Sequence, residues 1–265
     1  MNPDARAGKH VARRRFGQNF LVAVGVVERI VAAIQPRPGE NIVEIGPGLG
    51  ALTRPLLERL GHLHVIEIDR DLIARLREHH APGCLTIHEG DALEFDFGAL
   101  CARDNPSLRV VGNLPYNIST PLLFHLAGFA SRLRDGHFML QKEVVMRMVA
   151  APGTAEYGRL SVMLQYRFQM ERLFDVPPGA FRPAPKVTSS IVRMTPLPAE
   201  THHAHDETRF ARIVAAAFAQ RRKTLRNTLR DFLDENALEA LGFDPGLRGE
   251  RLSVADFVTI ANACQ

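Results

Sequence analysis

A chain of 265 residues, 46% of them hydrophobic, can build one sizeable domain and a smaller one, which excludes global disorder. Its net charge of +4 is modest, yet ten Lys/Arg face only three acids between residues 181 and 230, and Arg6, Lys9, Arg13, Arg14 and Arg15 face Asp4 alone near the start. Basic clusters of that kind suit a polyanionic partner, while no apolar run is long enough to span a membrane.

The N-terminus is basic but lacks a signal-type apolar core with a cleavage site. The three cysteines, Cys84, Cys101 and Cys264, are odd in number and show no metal-type spacing, which points to a reduced, cytoplasmic protein. From residue 41 strand and helix patterns alternate. "NIVEIG" is a short apolar run ending in Gly, and "ALTRPLLERLG" then puts Leu52, Leu56, Leu57 and Leu60 on one helical face, with Gly61 as the stop. "HLHVIEID" predicts a second strand, after which Asp71 is placed to cap the helix "LIARLREHH". "LTIHEGD", "RVVGNL" and "HFMLQ" predict three further strands, with helices at "TPLLFHLAGFA" and "KEVVMRMVA". This rhythm predicts an α/β fold: a parallel, doubly wound sheet with helices on both faces.

"VPPGAFRPAPKVTSS" is too Pro-rich for regular structure until "SIVRM" offers one more strand, and "TPLPAETHHAHD" reads as a linker. The helical period of "ETRFARIVAAAFAQRRKTLRNTLRDFL" and the short Gly/Pro turns after it predict a small all-helical C-terminal domain. The expected division is residues 1–198 and 199–265.

"EIGPGLG" stands where the first strand turns into the first helix, so its glycines let the backbone approach a ligand at the carboxyl edge of the sheet. Glu67 ends the second strand about 20 residues on, where a carboxylate accepts hydrogen bonds from ribose hydroxyls; a surface acid is the bland alternative. Asp91, in "GDAL", either caps a turn or accepts from an adenine amine in the same crevice. Gly46, Glu67 and Asp91 thus suit an adenosine moiety, which NAD and S-adenosylmethionine share. The fourth strand end, "GNLPYN", separates the two. Adenine N6 is a poor nucleophile because its lone pair is delocalised into the ring. Two fixed acceptors, the Asn113 side-chain oxygen and the Leu114 carbonyl, favour a pyramidal nitrogen whose lone pair points at a methyl donor. Pro115 stiffens the turn and Tyr116 offers a face on which the base stacks. A hydride-transferring enzyme has no use for such a turn.

"FGQNFL" (16–21), "EIGPGLG", "VIEID", "GDAL" and "GNLPYNISTPLLF" occur in an order that resembles the ribosomal RNA adenine dimethyltransferases. "LQKEVVMRM", "YGRLSVMLQY", "VPPGAFRPAPKVTSSIVRM" and "AFAQRRKTLRNTL" extend the match specifically to the small-subunit (16S) N6,N6-dimethylating type, over roughly residues 13–258. The resemblance implies a Rossmann-like S-adenosylmethionine-dependent methyltransferase sheet with a small helical RNA- or ribosome-binding domain. It also implies dimethylation of two adjacent adenines in a hairpin loop near the 3′ end of small-subunit rRNA, and a part in small-subunit biogenesis. It further implies cofactor contacts at Asn19, Leu21, Gly46, Glu67, Asp91 and Asn113, and an aromatic, Phe181, stacking opposite Tyr116. The expected partner is an immature small ribosomal subunit met by a monomeric enzyme, with Arg182, Lys186, Arg221, Arg222, Lys223 and Arg226 suited to phosphate contacts.

Three other readings compete. The large-subunit adenine methyltransferases of antibiotic resistance share the cofactor motifs, but "PPGAFRPAPKV" and "AFAQRRKTLRNTL" argue against them. An assembly factor that binds subunits and methylates only secondarily is compatible with the same motifs. An NAD oxidoreductase has only the glycine loop and Glu67 in its favour. His202, His203 and His205 lie in the linker without further ligands at suitable spacing, and His79 and His80 end a helix where the dipole favours them, so no metal is expected.

Overall fold

The computed structural model describes residues 19–101 and 107–264. The N-terminal basic cluster and the Phe16-Gly17-Gln18 part of the first motif lie outside them. The elements run β1 (Phe20–Leu21), α1 (Val24–Ile34), β2 (Ile42–Ile45), α2 (Thr53–Leu60), β3 (Leu63–Glu67), α3 (Arg70–His79), β4 (Leu85–Glu89), β5 (Leu108–Asn113), α4 (Ser119–Ala127) and β6 (Leu133–Gln141). They continue with α5 (Lys142–Met148), α6 (Arg159–Gln165), β7 (Phe168–Val176), β8 (Phe181–Arg182), β9 (Ser189–Pro196), α7 (Glu207–Ala219), α8 (Leu225–Thr228), α9 (Glu235–Ala240) and α10 (Val254–Ala263). No described helix is long and apolar enough to cross a membrane.

Seven strands form one sheet in the order β4-β3-β2-β5-β6-β9-β7. The pairs among β4, β3, β2, β5 and β6 are parallel, as the βα rhythm predicts. The sheet as a whole is mixed, which corrects the expectation of a parallel sheet: β9 runs antiparallel to both β6 and β7. The physical reason is connectivity, because β9 follows β7 without a crossover helix and so returns in the opposite direction. A two-residue ribbon, β1 with β8, lies apart from the sheet and pairs Phe20 with Arg182 and Leu21 with Phe181.

Alternation along the central strands feeds two cores. Val43, Ile45, Val110, Phe138 and Leu140 meet Leu122, Leu123 and Leu126 of α4, Val145 and Met148 of α5, and Leu160 and Leu164 of α6. Ile42, Val111 and Met139 meet Ile30, Val31 and Ile34 of α1 and Leu56 and Leu60 of α2. Each such fully buried aliphatic side chain contributes about 1.5–3 kcal/mol. Helix boundaries follow local chemistry. Gly61 ends α2 in the left-handed conformation at φ 80°, as expected. The cap of α3 is Asp69, not Asp71. Its carboxylate accepts from the Asp71 N–H at 3.0 Å, while Asp71 falls within the first turn.

The single long helical period after residue 206 breaks: α7 stops at Ala219, and a turn at Gln220–Thr224 carries the basic residues before α8. The helical end has its own core of Phe210, Ile213, Val214, Leu225, Leu229, Leu238, Phe257 and Ile260. That core also takes in Tyr157, Val162 and Tyr166, so its packing reaches back across residue 198. At the opposite, amino edge of the sheet, buried Arg109 binds Asp135 through two nitrogens and reaches Glu40 at 2.6 Å. Burial acts to raise both carboxyls, yet both lie below the usual carboxylate range, because the Arg37 N–H, Arg109 and Arg134 lower Glu40 while His137 and Arg109 lower Asp135.

Candidate active site

The chain runs outward from β2 to β3 and β4 and then returns to place β5 on the other side of β2. The carboxyl ends of β2 and β5 therefore flank the point where strand order reverses, the usual crevice for a ligand in such sheets. A cavity of about 270 Å³ opens there. Every expected cofactor contact lines it: Asn19, Leu21, Gly46, Glu67, Asp91 and Asn113. Leu114, Pro115 and Tyr116 line it too.

The floor is the glycine turn. Gly46 sits at φ +64° and a Cβ there would meet nothing within 4 Å, so its backbone borders open space. Gly48, at φ +58°, would drive a Cβ to 3.2 Å from the Phe20 ring, which packs over the turn from β1. Both positions need the left-handed region that glycine alone occupies without cost.

Beside this turn stand two buried carboxyls. Glu67 Oε1 accepts from the Ile68 and Asp69 N–H groups, each at 2.9 Å, and the carboxylate borders the cavity. Burial raises the Glu67 pKa, and the N–H groups of Asp69, Ile68 and Gly48 act against that rise. Glu44 was assigned no role from sequence. It is 2% exposed, accepts from the Thr53 hydroxyl at 2.7 Å and lines the same cavity. Burial pushes its pKa up to about 7, Thr53 lowers it, and the Glu67 charge adds to the rise. A lone Glu inside the otherwise apolar "NIVEIG" strand was the available signal. Asp91 closes a turn, its Oδ1 accepting the Leu93 N–H at 2.9 Å, and the residue also borders the cavity.

The Asn-Leu-Pro-Tyr turn follows β5. The Asn113 side-chain NH2 donates to the Asn19 carbonyl at 3.0 Å, so its Oδ1 is the end left to accept. Leu114 is anchored by its own N–H donating to the Met139 carbonyl at 3.2 Å. Tyr116 is half-buried and shares a 2.6 Å hydrogen bond with the Ser189 hydroxyl, and burial raises its pKa. The ring stays neutral and its hydroxyl stays a possible donor.

Phe181 falls outside the cavity lining, its ring 0% exposed among Leu21, Val31, Val111 and Ile191. In the β1–β8 ribbon residues alternate, so turning Arg182 to solvent turns Phe181 inward. Among the basic residues, Arg182, Lys186, Arg222 and Lys223 are exposed. Arg221 and Arg226 are also exposed but engage acids, Glu250 at 3.7 Å and Glu235 at 2.8 Å, so their charge is partly spent within the chain.

The cavity fits an adenosine-bearing methyl donor in three respects: a glycine turn bordering open space, a carboxylate at the second strand end, and an oriented amide acceptor at the fourth. Comparisons with known proteins agree. The family described as ribosomal RNA adenine dimethylase matches residues 9–265. A ribosomal RNA small subunit methyltransferase A of Aromatoleum aromaticum is 73% identical over 254 residues, covering 96% of this chain and 94% of that protein. One of the same name from Thiobacillus denitrificans is 64% identical and covers 95% and 97%. Among solved structures, a dimethyladenosine transferase from Plasmodium falciparum shares the fold, with a TM-score of 0.77 at 24% identity over 91% of this chain and 95% of that one. The 23S rRNA methyltransferase ErmE superposes with a TM-score of 0.69 at 25% identity, over 93% and 99%. A match across nearly the whole length, supported by relatives of such high identity, shows that this chain belongs to the ribosomal RNA adenine dimethylase family.

Proposed function

We propose that the adenines this chain dimethylates are two neighbours in a hairpin loop near the 3′ end of small-subunit rRNA, presented by an immature small subunit. The names of its most similar relatives support the small subunit as substrate. The observation that carries the chemistry is the Asn113 hydrogen bond to Asn19, because it commits the amide nitrogen and leaves Oδ1 as an acceptor beside the cavity.

S-adenosylmethionine, when bound, supplies a methyl group on a positively charged sulfur. The chain's own residues do the rest. Gly46, Glu67 and Asp91 border the adenosine position, with Asn19 and Leu21 closing it from β1. The Asn113 oxygen and the Leu114 carbonyl accept the two N6 hydrogens of the target adenine, which draws its lone pair out of the ring and aims it at the methyl. Tyr116 supports the face of that base. A loop base reaches the pocket at modest cost, since it gives up less stacking than a paired one. Positioning of this sort contributes several kcal/mol, roughly 7 or more in favourable intramolecular cases, and no strong general base is required, because the nitrogen turns acidic once methylated and gives its proton to water as the methyl–sulfur bond breaks. Arg182, Lys186, Arg222 and Lys223, with Arg221 and Arg226, are read as phosphate contacts that orient the RNA. We read residues 1–198 as the catalytic unit and 199–265 as the helical RNA-facing unit of a cytoplasmic monomer.

The test is transfer of radiolabelled methyl from S-adenosylmethionine to undermethylated small subunits, with nucleoside mass spectrometry and large subunits as control. Dimethyladenosine at two adjacent loop positions, lost in Asn113→Ala and Tyr116→Ala, is expected. Transfer to large subunits alone, or tight small-subunit binding without transfer, overturns the reading.

A further inference from the structure

We propose that Ser189 is a positioning residue for the methyl transfer, holding the Tyr116 ring at the angle that presents its face to the target base. The inference rests on the adenine-methylating reading of the site and deepens it.

The observations are geometric. Tyr116 stands on the turn after β5, and its hydroxyl lies at the far end of the ring axis, so a bond there fixes where that axis points and favours the ring plane that contains the partner oxygen. Its hydroxyl is 2.6 Å from the Ser189 hydroxyl, across 73 residues of sequence. Ser189 itself is 0% exposed and opens β9. Its backbone is held on both sides, opposite Gln141 of β6 and opposite Val176 of β7. The tether is thus fixed to an interior strand of the sheet, while the ring it holds borders the cavity.

The neighbouring serine does something else. Ser190 lies on the opposite face of β9, where its hydroxyl donates to Asp175, a carboxylate also bound by Lys142 at 2.7 Å. It is equally buried, at 0% exposure, and so provides an internal control for losing a hydroxyl from this strand.

The experiment measures kcat and cofactor KM for methyl transfer to undermethylated small subunits by the full chain, Ser189→Ala, Tyr116→Phe, their double variant and Ser190→Ala. Tyr116→Phe removes the bond from its less buried end, so a folding defect in Ser189→Ala does not leave the idea untested. Each single variant is expected to lose about three- to tenfold in kcat, the worth of one neutral hydrogen bond, and the double variant to lose no more. Cofactor KM is expected to stay unchanged, and Ser190→Ala to keep kcat. Losses that multiply in the double variant, an unchanged kcat in both singles, or a loss that appears as a raised cofactor KM would each overturn the tether. If the unaltered chain transfers no methyl, the reading of the site fails instead, and the two failures are distinguishable.

Discussion

Gly112 offers the sharpest stability test of the site. It lies in β5 immediately before Asn113, opposite Ile45 of β2 and Phe138 of β6. A Cβ at this position would stand 2.8 Å from the Ile45 carbonyl oxygen and 3.0 Å from a Leu114 methyl. The first of these neighbours is backbone inside a parallel pairing, so relief requires β5 to move from β2 by about half an ångström. Overpacking of this kind costs about 1–3 kcal/mol, and the upper part of that range applies because a strand rather than a side chain must give way. The same movement carries Asn113 away from the Asn19 carbonyl, now 3.0 Å distant. Gly112→Ala is therefore expected to lose about 2–3 kcal/mol in urea unfolding and more than tenfold in kcat under conditions where it remains folded. Gly46→Ala is the contrast. Its methyl meets nothing, so the cost is the left-handed backbone alone, about 1–2 kcal/mol. A Gly112→Ala protein within about 0.5 kcal/mol of the parent and equally active would refute the packing argument, since that is the scale of an inert surface change.

Other residues carry further tests. Asn113→Ala removes the oriented acceptor together with the bond to Asn19, and kcat in the methyl-transfer assay is expected to fall on the order of a hundredfold, with calorimetric titration finding weaker cofactor binding as well. Glu44 has a folded pKa raised from 4.5 to about 7, so the stability it contributes is complete below pH 4.5 and is lost as pH rises through 7. The cofactor-free protein should accordingly show a Tm that declines across this window, and Glu44→Gln should flatten the decline; parallel curves would remove Glu44 as its source. Arg109→Met removes the cation that Glu40 and Asp135 share and leaves them Arg134 and His137, which should cost about 3 kcal/mol in urea unfolding at neutral pH. Because both carboxyls sit below their usual range in the parent, the difference should narrow as pH falls and they protonate.

The parts of the fold that sequence made legible are those where one periodic signal dominates. β2, β3 and β5 are apolar runs buried along nearly their whole length, and each stops at the residue that enters the site. β7 has no counterpart among the predicted elements, because "FQMERLFDV" is an edge strand whose exposed Gln, Glu and Arg blur the alternation. β1 and β8 have two residues each, too few to carry any period. Asp69 and Asp71 both precede apolar helix positions, and only the hydrogen bond distinguishes cap from first turn. Site residues at successive strand ends were legible for the same reason the strands were. The side of the ribbon that Phe181 occupies, and the bond from Tyr116 to Ser189, depend on pairings between distant segments that no local pattern records.

Helix α6 contributes to two interiors at once. Leu160 and Leu164 belong to the core beneath the sheet, while Val162, with Tyr157 before the helix and Tyr166 after it, belongs to the core of the helical end. A seam between the two parts would have to split a single helix of seven residues. The two interiors therefore share a wall, and a change of volume on either side of α6 is felt in both.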